Sequence, residues 1–390
     1  MSPSKTNDNT SPSPSPSPSA SKITLTNPSI PLDSLILVTG CNGLIASHVA
    51  DQLLSAGYRV RGTVRAASKT SYLNTLYSSR HGDDPKKFEL YEIPDVTTPH
   101  AWDSAVRGVA GIVHCVGATD LTTQDPDGAA KKELEWQVGL LEAAKRTAGT
   151  VKSFVFTSSA WAVWTPDSSK KAVVLTEKSW NEEAIALARD KKVDPKTKGM
   201  AGFMALKTLV EQGVWEWVHR ENPPFRFNTV LLDTVLGACL DPVHQGIPST
   251  PGMVHWIWEN KHMAIIDLME PQWFVDCVDM AKVYVAALAS SSPKVDRERL
   301  FAFGARYSFK EVARLLGEMF PERKGGLGKP KTEGWDQTEV PNQRAEELLK
   351  SVGQKQGWTS LEESVRANAE SILVLEREGV KDVPKSAYAS

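Results

Sequence analysis

The residues best suited to ligand chemistry lie in a glycine-containing turn within residues 35–46, LILVTGCNGLIA. Gly40 permits a sharp turn, and Gly43 lets a phosphate approach the main chain. Small Ala46 lets the following helix pack close to the strand before the turn. Because backbone N–H groups at a helix start bind phosphate, the turn predicts a bound dinucleotide. The residues expected to contact its pyrophosphate are Gly40, Asn42, Gly43, Leu44 and Ile45.

The elements around the turn support this prediction. The helix continues through Leu54 to Ala56-Gly57, a typical helix C-cap, and a second strand is predicted over residues 59–64. Together they have the length of a strand-helix-strand unit. An ordinary strand-loop-helix connection is the alternative, because a lone glycine triplet is a weak signal.

The residues that follow the second and third predicted strands favour NADP over NAD. Proteins that bind NAD usually carry Asp or Glu at the end of the second strand, where this chain has Arg65. Arg65, with Lys69 nearby, can pair with a 2′-phosphate, which favours NADP. Asp95 and Val96 are placed to meet the adenine amino group and ring. The alternatives are solvated charges at Arg65 and Lys69, and a simple turn aspartate at Asp95.

Composition narrows the class of protein. At 390 residues with 41% hydrophobic content, the chain can bury a large core. A net charge of -2 gives no reason to expect nucleic acid or an anionic membrane, so a small molecule is the default partner. The four cysteines are scattered without a CxxC pair, which predicts neither a metal site nor disulfides. We expect a reduced, cytoplasmic setting, and no apolar run approaches the ~20 residues that span a bilayer.

The order of the elements predicts an α/β protein with a doubly wound parallel sheet, a Rossmann fold, and a smaller C-terminal lobe. Residues 1–21, where Ser and Pro alternate, are expected to be a disordered tail. Residues 32–237 are predicted to be the NADP-binding domain, and residues 238–380 mainly a substrate-binding lobe. Further strands are expected at 88–93, 111–116, 153–157 and 225–232, with helices at 133–146, 203–220, 278–289, 308–320 and from 360.

Several short motifs carry a family resemblance. They are VRGTVR at 60–65, TSS at 157–159, EKSW at 177–180 and FVDCVD at 274–279. With the glycine turn, they make the chain resemble the extended short-chain dehydrogenases, above all the fungal and yeast NADPH-dependent aldehyde and ketone reductases related to dihydroflavonol reductases. The resemblance covers about residues 30–375. It implies hydride transfer from NADPH to a carbonyl, acid chemistry by a Ser, a Tyr and a Lys, and a monomer or homodimer.

The resemblance assigns two of these three residues. Ser159, before small Ala160, takes the place of the family's serine, with Ser158 as the near alternative. Residues 203–211 match the family's YxxSKxxxE helix at Lys207, which would hold the nicotinamide ribose. The tyrosine position is Phe203, and no tyrosine elsewhere stands four residues before a lysine. The family's proton donor is therefore absent.

Three further departures lie near the same end of the site. Val116 replaces a small alanine, Leu206 replaces the serine before the lysine, and Leu232 replaces a proline that lines the nicotinamide. Together with Phe203 they predict a remodelled nicotinamide end beside an unchanged phosphate end.

Other residues are open to two interpretations. His114 could donate to a substrate or be a satisfied core histidine. Asp233, at a strand end, is a candidate general base or a turn cap. The indoles of four tryptophans either border a pocket for an aromatic or polyketide-like substrate or fill the lobe core: Trp161, Trp164, Trp256 and Trp258.

The first functional prediction is an NADPH-dependent carbonyl reductase for a small hydrophobic or aromatic substrate, including secondary metabolites. Ser159 would orient the carbonyl, and Lys207 would bind the ribose. Because Phe203 replaces the tyrosine, a non-redox dehydratase, isomerase or cyclase on the same fold is the alternative. A nucleotide-binding sensor or scaffold without turnover is the second alternative.

Overall fold

The chain folds around a seven-stranded sheet with helices on both faces. The computed structural model describes residues 23–118, 120–147, 149–169, 172–194, 198 and 200–380. The predicted tail, 1–21, lies outside the described residues. Within the described residues, no helix combines the length and apolar character needed to cross a bilayer.

Ten strands are described. In chain order they are β1 Leu35–Val38, β2 Arg59–Val64, β3 Phe88–Glu92, β4 Gly111–His114, β5 Ser153–Ser159, β6 Arg226–Leu232, β7 Thr234–Leu236, β8 Gln272–Asp276, β9 Arg299–Ala302 and β10 Ala305–Tyr307. The described α-helices are α1 Leu44–Ser55, α2 Tyr72–His81, α3 Pro126–Lys145, α4 Glu182–Arg189, α5 Ala201–Glu221, α6 Pro242–Gln245, α7 Ser249–Trp258, α8 Met263–Ile266, α9 Cys277–Ala289, α10 Phe309–Met319, α11 Gln343–Ser351 and α12 Leu361–Arg377.

Strand order fixes where a ligand can bind. The large sheet has the order β3-β2-β1-β4-β5-β6-β9, and every neighbouring pair in it is parallel. From β1, the following strands β2 and β3 are added on one side of the sheet. From β4, the strands β5, β6 and β9 are added on the other side. Crevices for ligands open at the carboxyl ends of the strands at such a reversal point. The doubly wound fold predicted from the sequence is confirmed.

The second sheet was not predicted. It has the order β10-β8-β7, with β7 and β8 parallel and β8 and β10 antiparallel. These strands and β9 are short segments in a region dominated by turns, so their pattern was too brief to recognise. The division between a domain at 32–237 and a lobe at 238–380 stays a prediction. Two elements from the later range, β9 and α9, nevertheless belong to the layers of the large sheet.

Helix starts in the C-terminal region coincide with capping residues. The hydroxyl of Ser308 accepts from the amide of Glu311 at the start of α10. Ser360 and Glu363 form a reciprocal capping box at the start of α12. Because these caps satisfy amides that have no partner within a helix, both helices begin where the sequence predicted.

The sheet is sandwiched between two apolar layers. One buried cluster joins α1 and α9 to one face of the sheet. The other joins α3 and α5 to the opposite face, where the ring of Trp215 meets that of Phe227 with centroids 5.0 Å apart. Helix α5 thus has a fixed position over β5 and β6.

A buried carboxylate ties α5 to three strands of the sheet. Glu211 accepts two hydrogen bonds from the guanidinium of Arg299 on β9, at 2.8 and 2.9 Å. It also accepts from Ser158 on β5 at 2.7 Å and from Thr229 on β6 at 3.1 Å. Buried charges need such partners to offset the loss of hydration. The register of α5 over the sheet therefore depends on Glu211.

We predict that Glu211→Ala lowers the free energy of unfolding by about 3–5 kcal/mol, because it leaves the buried guanidinium of Arg299 unpaired. Urea denaturation measures this difference. Glu216→Ala, an exposed site on the same helix, is the matched control and should change stability by no more than about 0.5 kcal/mol. Equal effects of the two variants would contradict a buried ion pair.

Candidate active site

The glycine turn has the geometry that the sequence predicted. Gly40 has φ of +69°, a conformation that side chains rarely adopt, and a Cβ there would lie 2.9 Å from Val116 Cγ2. The amide of Gly43 donates to the carbonyl of Gly40 at 2.8 Å, which closes the turn. Larger residues at Gly40 would therefore distort the loop.

The start of α1 is open to an anion. Gly43 is the N-cap, is extended, and supplies no side-chain cap, and the first turn of α1 contains no acidic residue. The amides at the start of α1, including those of Leu44 and Ile45, therefore keep the partial positive charge of a helix N-terminus. Ala46 is buried against the core, so the helix approaches the sheet closely. These residues fit a pyrophosphate.

The residues predicted to select the cofactor follow β2 and β3 in the chain. Arg65 and Lys69 are exposed, as a 2′-phosphate partner must be before binding. The carboxylate of Asp95 accepts from the amide and the hydroxyl of Thr97 at 2.8 and 2.7 Å. These hydrogen bonds, helped by the charge of Arg65, lower the pKa of Asp95. Asp95 thus forms a turn and lies near Arg65, and Val96 is half-buried beside it.

The two candidate serines differ in their partners. Ser158 donates to Glu211 and so is engaged in the packing of α5. Ser159, the last residue of β5, accepts from the amide of Trp161 at 3.2 Å. Because the serine oxygen is the acceptor in that bond, the hydroxyl hydrogen of Ser159 is free to be donated to a ligand. This difference favours Ser159 over Ser158 as a substrate contact.

Phe203 lies between an indole and an ammonium. Its ring meets that of Trp161 edge-on, with centroids 5.8 Å apart and planes at 88°. Lys207 Nζ lies 5.2 Å from the centroid of the Phe203 ring, a favourable cation–π distance. Ser159, Trp161, Phe203 and Lys207 thus form one continuous set of contacts, which we call the reactive end.

Sequence reasoning missed a buried glutamate at the reactive end. Glu133 on α3 is only 4% exposed, and its Oε1 lies 4.0 Å from Lys207 Nζ. That oxygen accepts from the amide of Ala118 at 3.1 Å and from Gln137 Nε2 at 3.0 Å. The available signal was a single acidic residue, Glu133, on the apolar face of a predicted helix. The leucines of that helix indicated ordinary core packing, so the acidic residue did not stand out.

His114 belongs to the core network behind the reactive end. Its Nδ1 lies 2.7 Å from Thr39 Oγ1, and its Nε2 lies 2.5 Å from Gln137 Oε1. Both ring nitrogens are satisfied, which confirms the interpretation as a core histidine. Burial lowers the pKa of His114 from 6.5 to about 4, although the bond to Gln137 opposes the shift. His114 is therefore neutral near pH 7.

The three other departures are packing residues. Val116 is half-buried and contacts Gly40, as described above. Leu206 is buried in the layer of α3 and α5, and Leu232 in the layer of α1 and α9. A remodelled nicotinamide end stays a prediction.

Asp233 links β6 to the second sheet. One carboxylate oxygen accepts from the amide of Trp273 at 2.8 Å. Burial raises the pKa of Asp233 well above its usual range, helped by the nearby charge of Asp336. This contact matches the structural interpretation of Asp233 rather than that of a base facing the reactive end.

A cleft that shares Trp161 with the reactive end opens between α5 and the C-terminal lobe, and Ser159, Phe203 and Lys207 do not line it. Its volume is about 190 Å³, and its walls include Trp161, Met200, Met204, Leu268 and Gln272. We call it the lobe cleft. Trp161 Nε1 and Gln272 Oε1 are buried and have no hydrogen-bond partner among the described residues.

The four indoles named from the sequence separate into different environments. Trp161 alone contacts Phe203 and lines the lobe cleft. Trp164 lines a second cleft of about 280 Å³. Trp258 donates to Glu376 on α12, and the ring of Trp256 meets that of His262 with centroids 4.9 Å apart and planes tilted by 54°, so both pack within the lobe.

The reversal of strand order between β1 and β4, the glycine turn and the open start of α1 define a fold of the Rossmann type. Its four cysteines are free thiols. In the described ranges, no three His, Cys, Asp or Glu side chains are grouped to hold a metal ion.

Comparison with known proteins places the chain in a family. Residues 36–179 match the NAD dependent epimerase/dehydratase family. Aldehyde reductase 2 of Sporidiobolus salmonicolor is 31% identical over 342 residues, 88% of this chain and 97% of that protein. The ketoreductase adrE of Penicillium rubens is 34% identical over 345 residues, 87% of this chain and 96% of its own length. The chain belongs to the epimerase/dehydratase family, the extended short-chain dehydrogenases, as the sequence motifs indicated.

A solved structure supports the fold assignment. Yeast methylglyoxal/isovaleraldehyde reductase Gre2, complexed with NADPH, superposes with a TM-score of 0.68 at 22% identity. The match covers 88% of this chain and 99% of that structure.

The neutral, buried state of His114 predicts a pH effect. The unfolded chain binds a proton at this residue near pH 6.5, whereas the folded protein binds it only near pH 4. Acid therefore favours the unfolded state within that window. The stability advantage of the wild type over His114→Gln should shrink by about 2 kcal/mol between pH 7 and pH 5.

Denaturant titrations at the two pH values measure this change. His219→Gln, at an exposed histidine, is the control and should show no such dependence. A stability advantage that is the same at both pH values would mean that His114 is not held neutral.

Proposed function

We propose that the chain is an NADPH-dependent carbonyl reductase acting on a small hydrophobic or aromatic aldehyde or ketone. The observation that carries the proposal is the reactive end itself. Ser159 and Lys207 are joined there through Trp161 and Phe203, at the same edge of the sheet as the phosphate-binding turn. The relatives named as aldehyde reductase and ketoreductase support this assignment.

NADP fits the residues present. The glycine turn and the open start of α1 would hold the pyrophosphate. Arg65 and Lys69 are exposed beyond β2, where they can meet a 2′-phosphate. When bound, NADPH supplies the hydride that the carbonyl carbon receives.

The protein must then orient the carbonyl and stabilise charge on its oxygen. The hydroxyl of Ser159 can donate to that oxygen, because in its bond with the Trp161 amide the serine oxygen is the acceptor and its hydrogen is not used. The ammonium of Lys207 lies 5.2 Å from the centroid of the Phe203 ring. In a partly buried site, such preorganised groups stabilise a developing oxyanion.

Phe203 changes how the proton arrives. A phenyl ring can position a substrate, but it has no acidic hydrogen. General acid catalysis is worth about 10² to 10⁴ in rate. We infer that Ser159, or water held by Lys207, delivers the proton more slowly than a tyrosine would.

The lobe cleft suggests the substrate class. Two methionines and an indole offer an apolar, adaptable surface. We propose a hydrophobic or aromatic carbonyl compound as the substrate.

A non-redox enzyme is the second candidate, and Phe203 is the observation that favours it. Dehydration, isomerisation or cyclisation does not need the missing phenol. The family to which the chain belongs includes epimerases and dehydratases in its name.

One assay separates the candidates. Purified protein is mixed with NADPH and a panel of aromatic aldehydes and ketones, and the absorbance of the reduced cofactor is followed. We expect steady consumption, faster than with NADH, that falls by at least tenfold in Ser159→Ala. Binding of NADPH without consumption would reject the reductase and direct attention to product analysis for the non-redox candidate. A protein that binds NADPH but converts nothing would instead be a sensor.

We also predict that Phe203→Tyr raises kcat for carbonyl reduction by about 10²-fold or more, because it restores a phenol beside Lys207. Steady-state kinetics with one carbonyl measures the change. Phe203→Leu, which adds no acid, is the control and should not increase kcat. A lower kcat in Phe203→Tyr would show that the phenyl ring has a task that a hydroxyl disturbs.

A further inference from the structure

Glu133 carries a buried oxygen that no described residue satisfies. The residue is 4% exposed, and its Oε2 has no hydrogen-bond partner among the described residues. Buried polar atoms without partners are rare in folded proteins and costly, especially on a charged group. A ligand that supplies a hydrogen-bond donor would remove this cost.

The orientation of the Glu133 carboxylate is fixed by its other oxygen. Oε1 already accepts from the Ala118 amide and from Gln137 Nε2. Gln137 is itself held, because Nε2 also donates to the carbonyl of Val116 and its Oε1 meets His114. The network therefore holds Oε1 in place and leaves Oε2 as the free acceptor.

A donor stands near the same carboxylate, on the side of Oε1. Lys207 Nζ is 4.0 Å from Glu133 Oε1, too far for a hydrogen bond, so the pair does not consume the hydrogens of the ammonium. Gly117 lies beside both groups. A Cβ on Gly117 would lie 3.1 Å from Lys207 Nζ and 3.3 Å from Glu133 Oε1. A hydroxyl group, which both donates and accepts, is the chemical match to this pair.

The position of the pair points to one source of hydroxyls. Gly117 and Ala118 follow β4, which is the neighbour of β1 in the sheet. The crevice between these strands is where a dinucleotide crosses from one half of the fold to the other. The half beyond β4 receives the second ribose, which carries a vicinal diol.

We propose that Glu133 is a cofactor-binding residue whose Oε2 accepts a hydrogen bond from the nicotinamide ribose, while Lys207 donates to the same diol. This inference rests on the proposed function, because it requires a bound dinucleotide. In this arrangement Glu133 is the acceptor and Lys207 is the donor. Glu133 lies outside the sequence motifs that carry the family resemblance.

The test compares two ligands by equilibrium titration, without turnover. NADPH carries the nicotinamide ribose, whereas 2′,5′-ADP carries only the adenine half. In Glu133→Gln, the amide oxygen can replace Oε1, but an NH₂ group replaces Oε2 and can no longer accept. The Kd for NADPH should rise about tenfold or more, and the Kd for 2′,5′-ADP should stay within about twofold.

Three matched variants sharpen the result. Glu135→Gln makes the same charge change at an exposed site on α3 and should leave both Kd values unchanged. Arg65→Ala should weaken both ligands, since both carry the 2′-phosphate. If Glu133→Gln does not fold, Glu133→Asp withdraws the carboxylate by one methylene and should show the same selective loss.

Each other outcome overturns the proposal. An unchanged Kd for NADPH in the Glu133 variants would exclude a contact with the ribose. Equal weakening of NADPH and 2′,5′-ADP would show a general distortion of the site. A wild type that binds neither ligand would reject the proposed function itself, and with it this inference.

Discussion

The position of helix α5, and with it the geometry of the reactive end, depends on the buried carboxylate of Glu211. Helix α5 carries both Phe203 and Lys207, and its position over the sheet is set where Glu211 meets Arg299 and the hydroxyls of β5 and β6. Because one carboxylate bonds three strands at once, the helix cannot slide without unpairing a buried charge. The distances at the reactive end follow from this constraint.

A second polar network determines the other wall of the site. It runs from Thr39 through His114 and Gln137 to Glu133, and ends 4.0 Å from Lys207. Thr39, His114 and Gln137 are held by hydrogen bonds within the network, whereas Glu133 keeps one oxygen, Oε2, without a partner among the described residues. The chain thus combines a positive and a negative group at a site where it lacks the expected phenol. The site therefore has charged groups that can bind a ligand, but it lacks the phenol that would transfer a proton.

The phosphate end and the reactive end obey different constraints. At the turn, Gly40 is required by its positive φ and by its contact with Val116, so little variation is possible there. At the reactive end, Phe203 is buried at a position that a tyrosine could also fill. Packing alone therefore does not decide between phenylalanine and tyrosine. Membership of the family therefore secures the fold more firmly than the reaction.

Local patterns in the sequence determined the phosphate-binding turn, the six strands of the sheet from β1 to β6, and the two capped helices of the C-terminal region. Those features depend on neighbouring residues, so periodicity and turn residues reveal them. The strand β9, the role of Glu211 as a shared partner, and the approach of Glu133 to Lys207 were decided by tertiary structure. Residues 133 and 207 are 74 positions apart, and their meeting depends on the packing of α3 against α5, which no local pattern encodes.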